Sequence, residues 1–190
     1  MALFLSRLIA GILTHPTAKG WIFTASGLVA TAAFCVPFGI LTRFLEGKDR
    51  VRDLGLVIKG CTIALLSPGL LEEALYRAAL LPHPAVDPPS ALTLPAYSRA
   101  AVLPLLLFVA SHLINPRRES RRAFRDWRFL TLAAALGVAC TATHWATGGS
   151  LVACAVVHWL PVCVWLFGFG GYQRLGGAPG KTVRTVGSSL

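Results

Sequence analysis

Ser67-Pro68-Gly69-Leu70-Leu71-Glu72-Glu73-Ala74-Leu75-Tyr76-Arg77 sets two adjacent carboxylates and an arginine inside an otherwise apolar run. An ionised carboxylate in a low-dielectric surrounding is costly unless it is paired, and most apolar segments carry none. On a helix Glu73 and Arg77 are four residues apart with the acid N-terminal, the favoured order for an ion pair. Glu72 lies about 100° further round and is worse placed for Arg77, so it is expected to stay free while Glu73 is neutralised. The proline removes a backbone hydrogen bond and predicts a kink just before the glutamates.

The runs on either side identify the solvent of this segment. Of 190 residues, 55% are hydrophobic and 14% charged, with a mean hydropathy of +0.64. A soluble domain carries about 25% charged residues. Four further apolar stretches, at 21–41, 98–114, 129–145 and 151–169, join 54–81 in being close to the length of about 20 residues that a membrane-crossing helix needs. The expected fold is all-α, a polytopic transmembrane bundle of about five helices. Residues 1–20 are expected to form an N-terminal amphipathic interfacial segment broken by Arg7, residues 21–170 the membrane domain, and residues 171–190 a flexible polar tail. The chain between Pro82 and Pro95 holds five prolines and reads as a loop on the membrane surface.

The net charge of +10 does not indicate nucleic acid, because the basic residues fall between apolar runs. Thirteen of the 18 Lys and Arg lie in the 43–53 loop, the 117–128 loop and the C-terminal tail, which alternation of five crossings puts on one side. By the positive-inside rule that side is cytoplasmic and the N-terminus is outside. The expected location is integral to a membrane, the bacterial inner membrane, with the arginine-rich 117–128 loop and the C-terminus in the cytoplasm. The five cysteines, Cys35, Cys61, Cys140, Cys154 and Cys163, all lie in apolar stretches without a C-x-x-C pair and read as packing residues.

Three histidines lie in or at the ends of apolar segments. His112 follows Phe108 by one turn, so the phenyl ring can pack on the imidazole. His158 falls in the middle of the last segment and is expected to face the bundle interior. His144, beside Trp145 near a segment end, reads as interfacial. His15 and His83 lie in loops and receive no role. At 1.5 Å per residue, Glu72 and His158 reach similar depths, with His112 about 10 Å nearer the arginine-rich end.

Glu72-Glu73-x-x-x-Arg77, then Phe108-x-x-x-His112, then His158 after the Thr147-Gly148-Gly149-Ser150-Leu151 lead-in, resemble the three ordered motifs of the CPBP family. That family includes the CAAX prenyl endopeptidases and the bacteriocin-processing and self-immunity proteins. The resemblance implies an intramembrane endopeptidase acting on a membrane-associated protein or peptide, a lipidated one included, within the lipid bilayer. It implies Glu72 as catalytic glutamate and His112 and His158 as its partners, with Glu73, Arg77 and Phe108 in support. The family's last motif is His-x-x-x-Asn, whereas this chain has Val162; Asn115, one turn past His112, is the candidate substitute. No cofactor is expected, since there is no H-E-x-x-H. A divalent metal such as zinc stays open as an alternative, with Glu72, His112 and His158 as its ligands. A non-catalytic membrane scaffold or chaperone with the same fold is the alternative function, and a small transporter or proton relay a third.

Overall fold

A computed structural model describes residues 1–47, 50–114 and 119–177. All regular elements among them are helical: α1 (Ala2–Leu13), α2 (Ala18–Leu41), the broken α3 (Leu54–Ala79), α4 (Leu94–Leu113), the short α5 (Arg121–Phe124), α6 (Trp127–Ala146), α7 (Leu151–Gly168) and the short α8 (Gly171–Arg174). Five of them, α2, α3, α4, α6 and α7, are long and apolar enough to cross a membrane. Caps mark where they start: Thr17, Asp53, Asp126 and Ser150 each accept a hydrogen bond from a backbone N–H of the first turn, satisfying a donor that a helix N-terminus leaves orphaned.

α6 and α7 form the centre, packed on each other and on α2. The outward faces of the surrounding helices carry exposed Ile22, Val29, Ile58, Leu66, Val102 and Leu106, surface that a bilayer would cover. α3 is continuous in sequence but not in direction. Ser67 leaves helical geometry (φ −146°, ψ 114°) one residue before Pro68, so the expected kink is present. The Trp159 indole N–H on α7 donates to the Cys61 carbonyl at 2.8 Å, pinning α3 just ahead of the break. Beyond it, Ala74–Ala79 forms a widened π-helical turn.

The loops collect at two ends. At the arginine-rich end, Val51 N–H donates to Phe167 O at 3.0 Å, and the fully buried Phe44 stacks on Trp165 at 6.1 Å. The described residues of the 42–47, 50–53, 119–128 and 169–177 segments therefore share one face of the bundle, Arg128 Nη1 donating to Thr42 O at 2.9 Å, as five crossings require.

At the opposite end, α1 lies against Ala74–Ala79. Gly11 permits this approach, since a Cβ there would come to 3.0 Å from Ala78 Cβ. Arg7 pairs with both carboxylate oxygens of Asp87 and donates to Leu80 O at 3.1 Å. Leu3, Phe4, Leu5, Ile9 and Ile12 are left exposed, as suits a helix lying at an interface. The 82–95 segment does not lie wholly on the surface: Pro82 and His83 are buried. The ring of His83 occupies the space that a Cβ on Gly149 (φ +93°) would need. His83 Nδ1 accepts Ala85 N–H at 3.1 Å, so its Nε2 carries the proton and donates to Thr14 Oγ1 at 3.2 Å.

His144 corrects the interfacial expectation. It is 1% exposed, its Nδ1 lies 2.7 Å from the Tyr97 hydroxyl, and its ring meets that of His83 edge-on at 6.3 Å. Trp145 points outward, and its histidine neighbour points the other way.

Burial, the largest influence on it, holds the His83 imidazole below its ordinary value against the opposing pull of Asp87. The Arg7 hydrogen bond holds Asp87 below the usual carboxylate range, so Asp87 stays ionised through mildly acid conditions. Folded His83 then binds fewer protons than unfolded His83 as pH falls through about 6.5, and stability falls with pH there. Hydrogen-exchange protection factors of residues 2–13, with the intrinsic pH dependence of exchange removed, are expected to drop between about pH 7.5 and about 5.5. His83→Gln should flatten that response.

Candidate active site

The stretch from Glu72 to Arg77 faces α7 and α6. Glu73 is fully buried, and its Oε1 accepts from Arg77 Nη1 at 3.0 Å and from His158 Nδ1 at 2.6 Å. The second nitrogen of Arg77, Nη2, donates to Gly137 O on α6 at 3.1 Å. One carboxylate thus ties α3 to α7, and its counter-ion ties α3 to α6. With Nδ1 donating to Glu73, the other ring nitrogen of His158 faces Glu72: Nε2 to Oε2 is 3.9 Å. That Glu72 oxygen is buried and has no hydrogen-bond partner among the described residues, although the side chain as a whole is 29% exposed. The division read from the helical period is the one observed: Glu73 is committed to Arg77, and Glu72 is uncommitted.

Phe108 on α4 assembles the rest. Its ring is 1% exposed, with the Arg77 guanidinium 4.4 Å from its centre, a separation at which the cation is attracted by the ring quadrupole. His112 and His158 each meet the same ring nearly perpendicular, at 5.1 Å and 5.7 Å. His112 Nδ1 donates to Phe108 O at 2.9 Å, which leaves Nε2 as its remaining polar atom. The difference in depth expected between His112 and His158 is bridged by this phenyl ring, one turn deeper than His112. Asn115 lies outside the described residues. Val162 packs against the cluster of Leu136, Cys140 and Val157, so a hydrocarbon occupies the place of the family's asparagine.

Sequence reading missed Gly137, Cys140 and Tyr76. A Cβ on Gly137 would lie 2.6 Å from Leu105 Cδ1 and 3.0 Å from Arg77 Nη2, so only glycine lets the guanidinium reach the α6 backbone. Its signal was a lone glycine in the alanine-rich middle of α6. Cys140 brings its sulfur together with Glu73 and His158, their ligand atoms all within 4.8 Å of one another. That grouping differs from Glu72, His112 and His158 by drawing on the braced carboxylate and a thiol. Tyr76 packs edge-on against Phe108 at 5.5 Å.

Fold and site together define a helical integral membrane protein with a Glu-Arg-His cluster held between three of its crossings. The family model described as type II CAAX prenyl endopeptidase Rce1-like matches residues 55–163, more than half of the chain, and the protein belongs to that family. It is, at that level, a CAAX-protease-like membrane endopeptidase. The match spans Glu72 through His158 and so includes all three motifs. Neither a curated protein nor a solved structure matches the chain.

Removing one member of a buried ion pair leaves the other charge uncompensated and costs about 3–5 kcal/mol. Arg77→Met is therefore expected to lower the unfolding midpoint of the detergent-solubilised protein strongly. Glu72→Gln, which breaks no hydrogen bond, should leave that midpoint in place.

Proposed function

We propose that the protein hydrolyses a peptide bond of a membrane-associated protein or peptide, with Glu72 as the base that activates water. The observation that carries this is the uncommitted Glu72 Oε2, buried and 3.9 Å from His158 Nε2. A direct hydrogen bond is shorter than that; 3.9 Å is a separation that a single water, at about 2.8 Å from each atom, would bridge. Glu72 takes the water proton as the oxygen attacks the scissile carbonyl, and later delivers it to the leaving amine. With Nδ1–H of His112 and His158 already donated, each Nε2 accepts in the neutral ring and can orient the water; it donates to the charge that develops on the carbonyl oxygen when the ring carries a second proton. Glu73 acts on His158 rather than on substrate: by accepting from Nδ1 it fixes the tautomer and aims Nε2 at Glu72. Phe108 is likewise a positioning residue, holding both imidazoles against one ring.

Glutamate-activated water without a metal is the reading we favour. Glu73 and His158, two of the residues in the grouping with Cys140, already bond each other, Oε1 to Nδ1 at 2.6 Å, beside the positive charge of Arg77. An ion there would sit beside a guanidinium, whose positive charge opposes it. Substrates are membrane-associated, lipidated chains included, and the excess of Lys and Arg at the arginine-rich end supports a cytoplasmic position for it.

In liposomes, the protein is expected to cleave a membrane-associated reporter peptide, and Glu72→Gln should abolish turnover while the protein stays folded. Turnover at the wild-type rate in that variant would overturn the mechanism. Cleavage should persist after exhaustive chelation, and loss restored by zinc would move the site to the metal-dependent alternative.

Val162 supports a second reading, a scaffold with the same fold. Losing one donor to an oxyanion slows acyl chemistry about a hundredfold or more, and Val162 has no donor to offer. If Glu72→Gln keeps the cellular phenotype that deletion of the protein destroys, the scaffold reading is the right one.

A further inference from the structure

Where α2 ends and α6 begins, a groove of about 600 Å³ opens on the arginine-rich face, lined by Thr42, Arg122, Arg125, Asp126, Trp127 and Arg128. Its charges do not balance. Arg128 is occupied: Nη2 donates to Asp126 Oδ2 at 2.6 Å, Nε to Oδ1 at 3.0 Å, and Nη1 to Thr42 O at 2.9 Å. The Asp126 carboxylate, the one acid of the groove, is thereby used up. Arg122 and Arg125 are exposed and make no ion pair among the described residues. Two guanidinium groups thus line the groove without a counter-charge, in the fork geometry that suits phosphate oxygens.

The surface next to them is apolar and aromatic. Trp127 is 62% exposed and meets Phe38 edge-on at 5.9 Å; Phe38 in turn stacks on Phe34 at 5.6 Å. Leu41, at the end of the same helix, is 82% exposed. The groove stands at the terminus of two crossings at once, Ala18–Leu41 and Trp127–Ala146, which is the level where a bilayer changes from hydrocarbon to headgroups. A cationic slot that continues into an aromatic strip matches an amphiphile with an anionic head. A soluble anion would use the arginines and leave the strip uncovered.

We propose that this groove binds an anionic phospholipid, its phosphate on Arg122 and Arg125 and an acyl chain along Phe34, Phe38 and Trp127. Arg128 and Asp126 form the floor, holding the start of α6 against the end of α2 so that the slot keeps its shape. The proposal does not depend on proteolysis, since none of these residues touches the Glu72 site.

The test is the unfolding midpoint of the purified full-length chain in neutral detergent, titrated with phosphatidylglycerol, with phosphatidylcholine, or with inorganic phosphate. Phosphatidylglycerol is expected to raise the midpoint saturably, and the other two are not. In Arg122→Gln/Arg125→Gln the apparent affinity should fall about thirtyfold, the factor expected for two basic side chains near an anionic lipid. Arg122→Lys/Arg125→Lys should recover part of it, and Arg99→Gln, at the other end of the bundle, should change nothing. The double variant's midpoint without lipid reports whether it is folded. If it is lowered, Phe34→Ala serves as a second probe and should weaken the phosphatidylglycerol effect alone. An unchanged phosphatidylglycerol response in the glutamine variant, or an equal response to phosphatidylcholine, overturns the proposal. An equal response to inorganic phosphate also overturns it, marking a simple anion site.

Discussion

One oxygen atom, Oε1 of Glu73, holds the protein's interior together. It accepts from Arg77 four residues away and from His158 eighty-five residues away. In a medium of low dielectric such a charge is tolerable only when its partners are present, and the partners are equally bound to it. Because Arg77 also reaches the Gly137 carbonyl, the three helices α3, α6 and α7 meet at a single carboxylate and its counter-ion. The position of Glu72 follows from this: its neighbour is anchored, so its own direction is set without a bond of its own.

Phe108 supplies what hydrogen bonds cannot. Its ring presents a face to the Arg77 cation and packs at steep angles against His112 and His158. α4 therefore joins the site through Phe108 and the His112 that Phe108 packs against. The break at Ser67 lets the second half of α3 turn inward, with Trp159 fastening the first half to α7. Rigid anchoring on either side of an irregular backbone is how a membrane helix can carry non-helical geometry at depth.

What could be read in the sequence was whatever depends on near neighbours or on solvent preference. The crossings showed as long apolar runs, the kink as Ser67-Pro68, the brace as Glu73 and Arg77 at helical spacing, and the Phe108–His112 contact as a one-turn interval. What could not be read depends on partners far along the chain. His144 beside Trp145 looked interfacial because Tyr97, its hydrogen-bond partner, is 47 residues earlier and on another helix. The burial of His83 depends on α1 lying over it and on Gly149 making room. Gly137 was one small residue among several, and only the arginine reaching its carbonyl gives it significance.

The pairing of Glu73 and Arg77 within one helix also bears on how the chain is made. α3 is synthesised well before α7, so when it first meets the lipid phase His158 does not yet exist. A carboxylate whose only partner lay on α7 would have to enter hydrocarbon bare. Carrying its counter-ion one turn away on the same helix, Glu73 arrives already paired, able to wait in the membrane for the last crossing. The brace thus acts first as a passport for insertion and only afterwards as the support of a site.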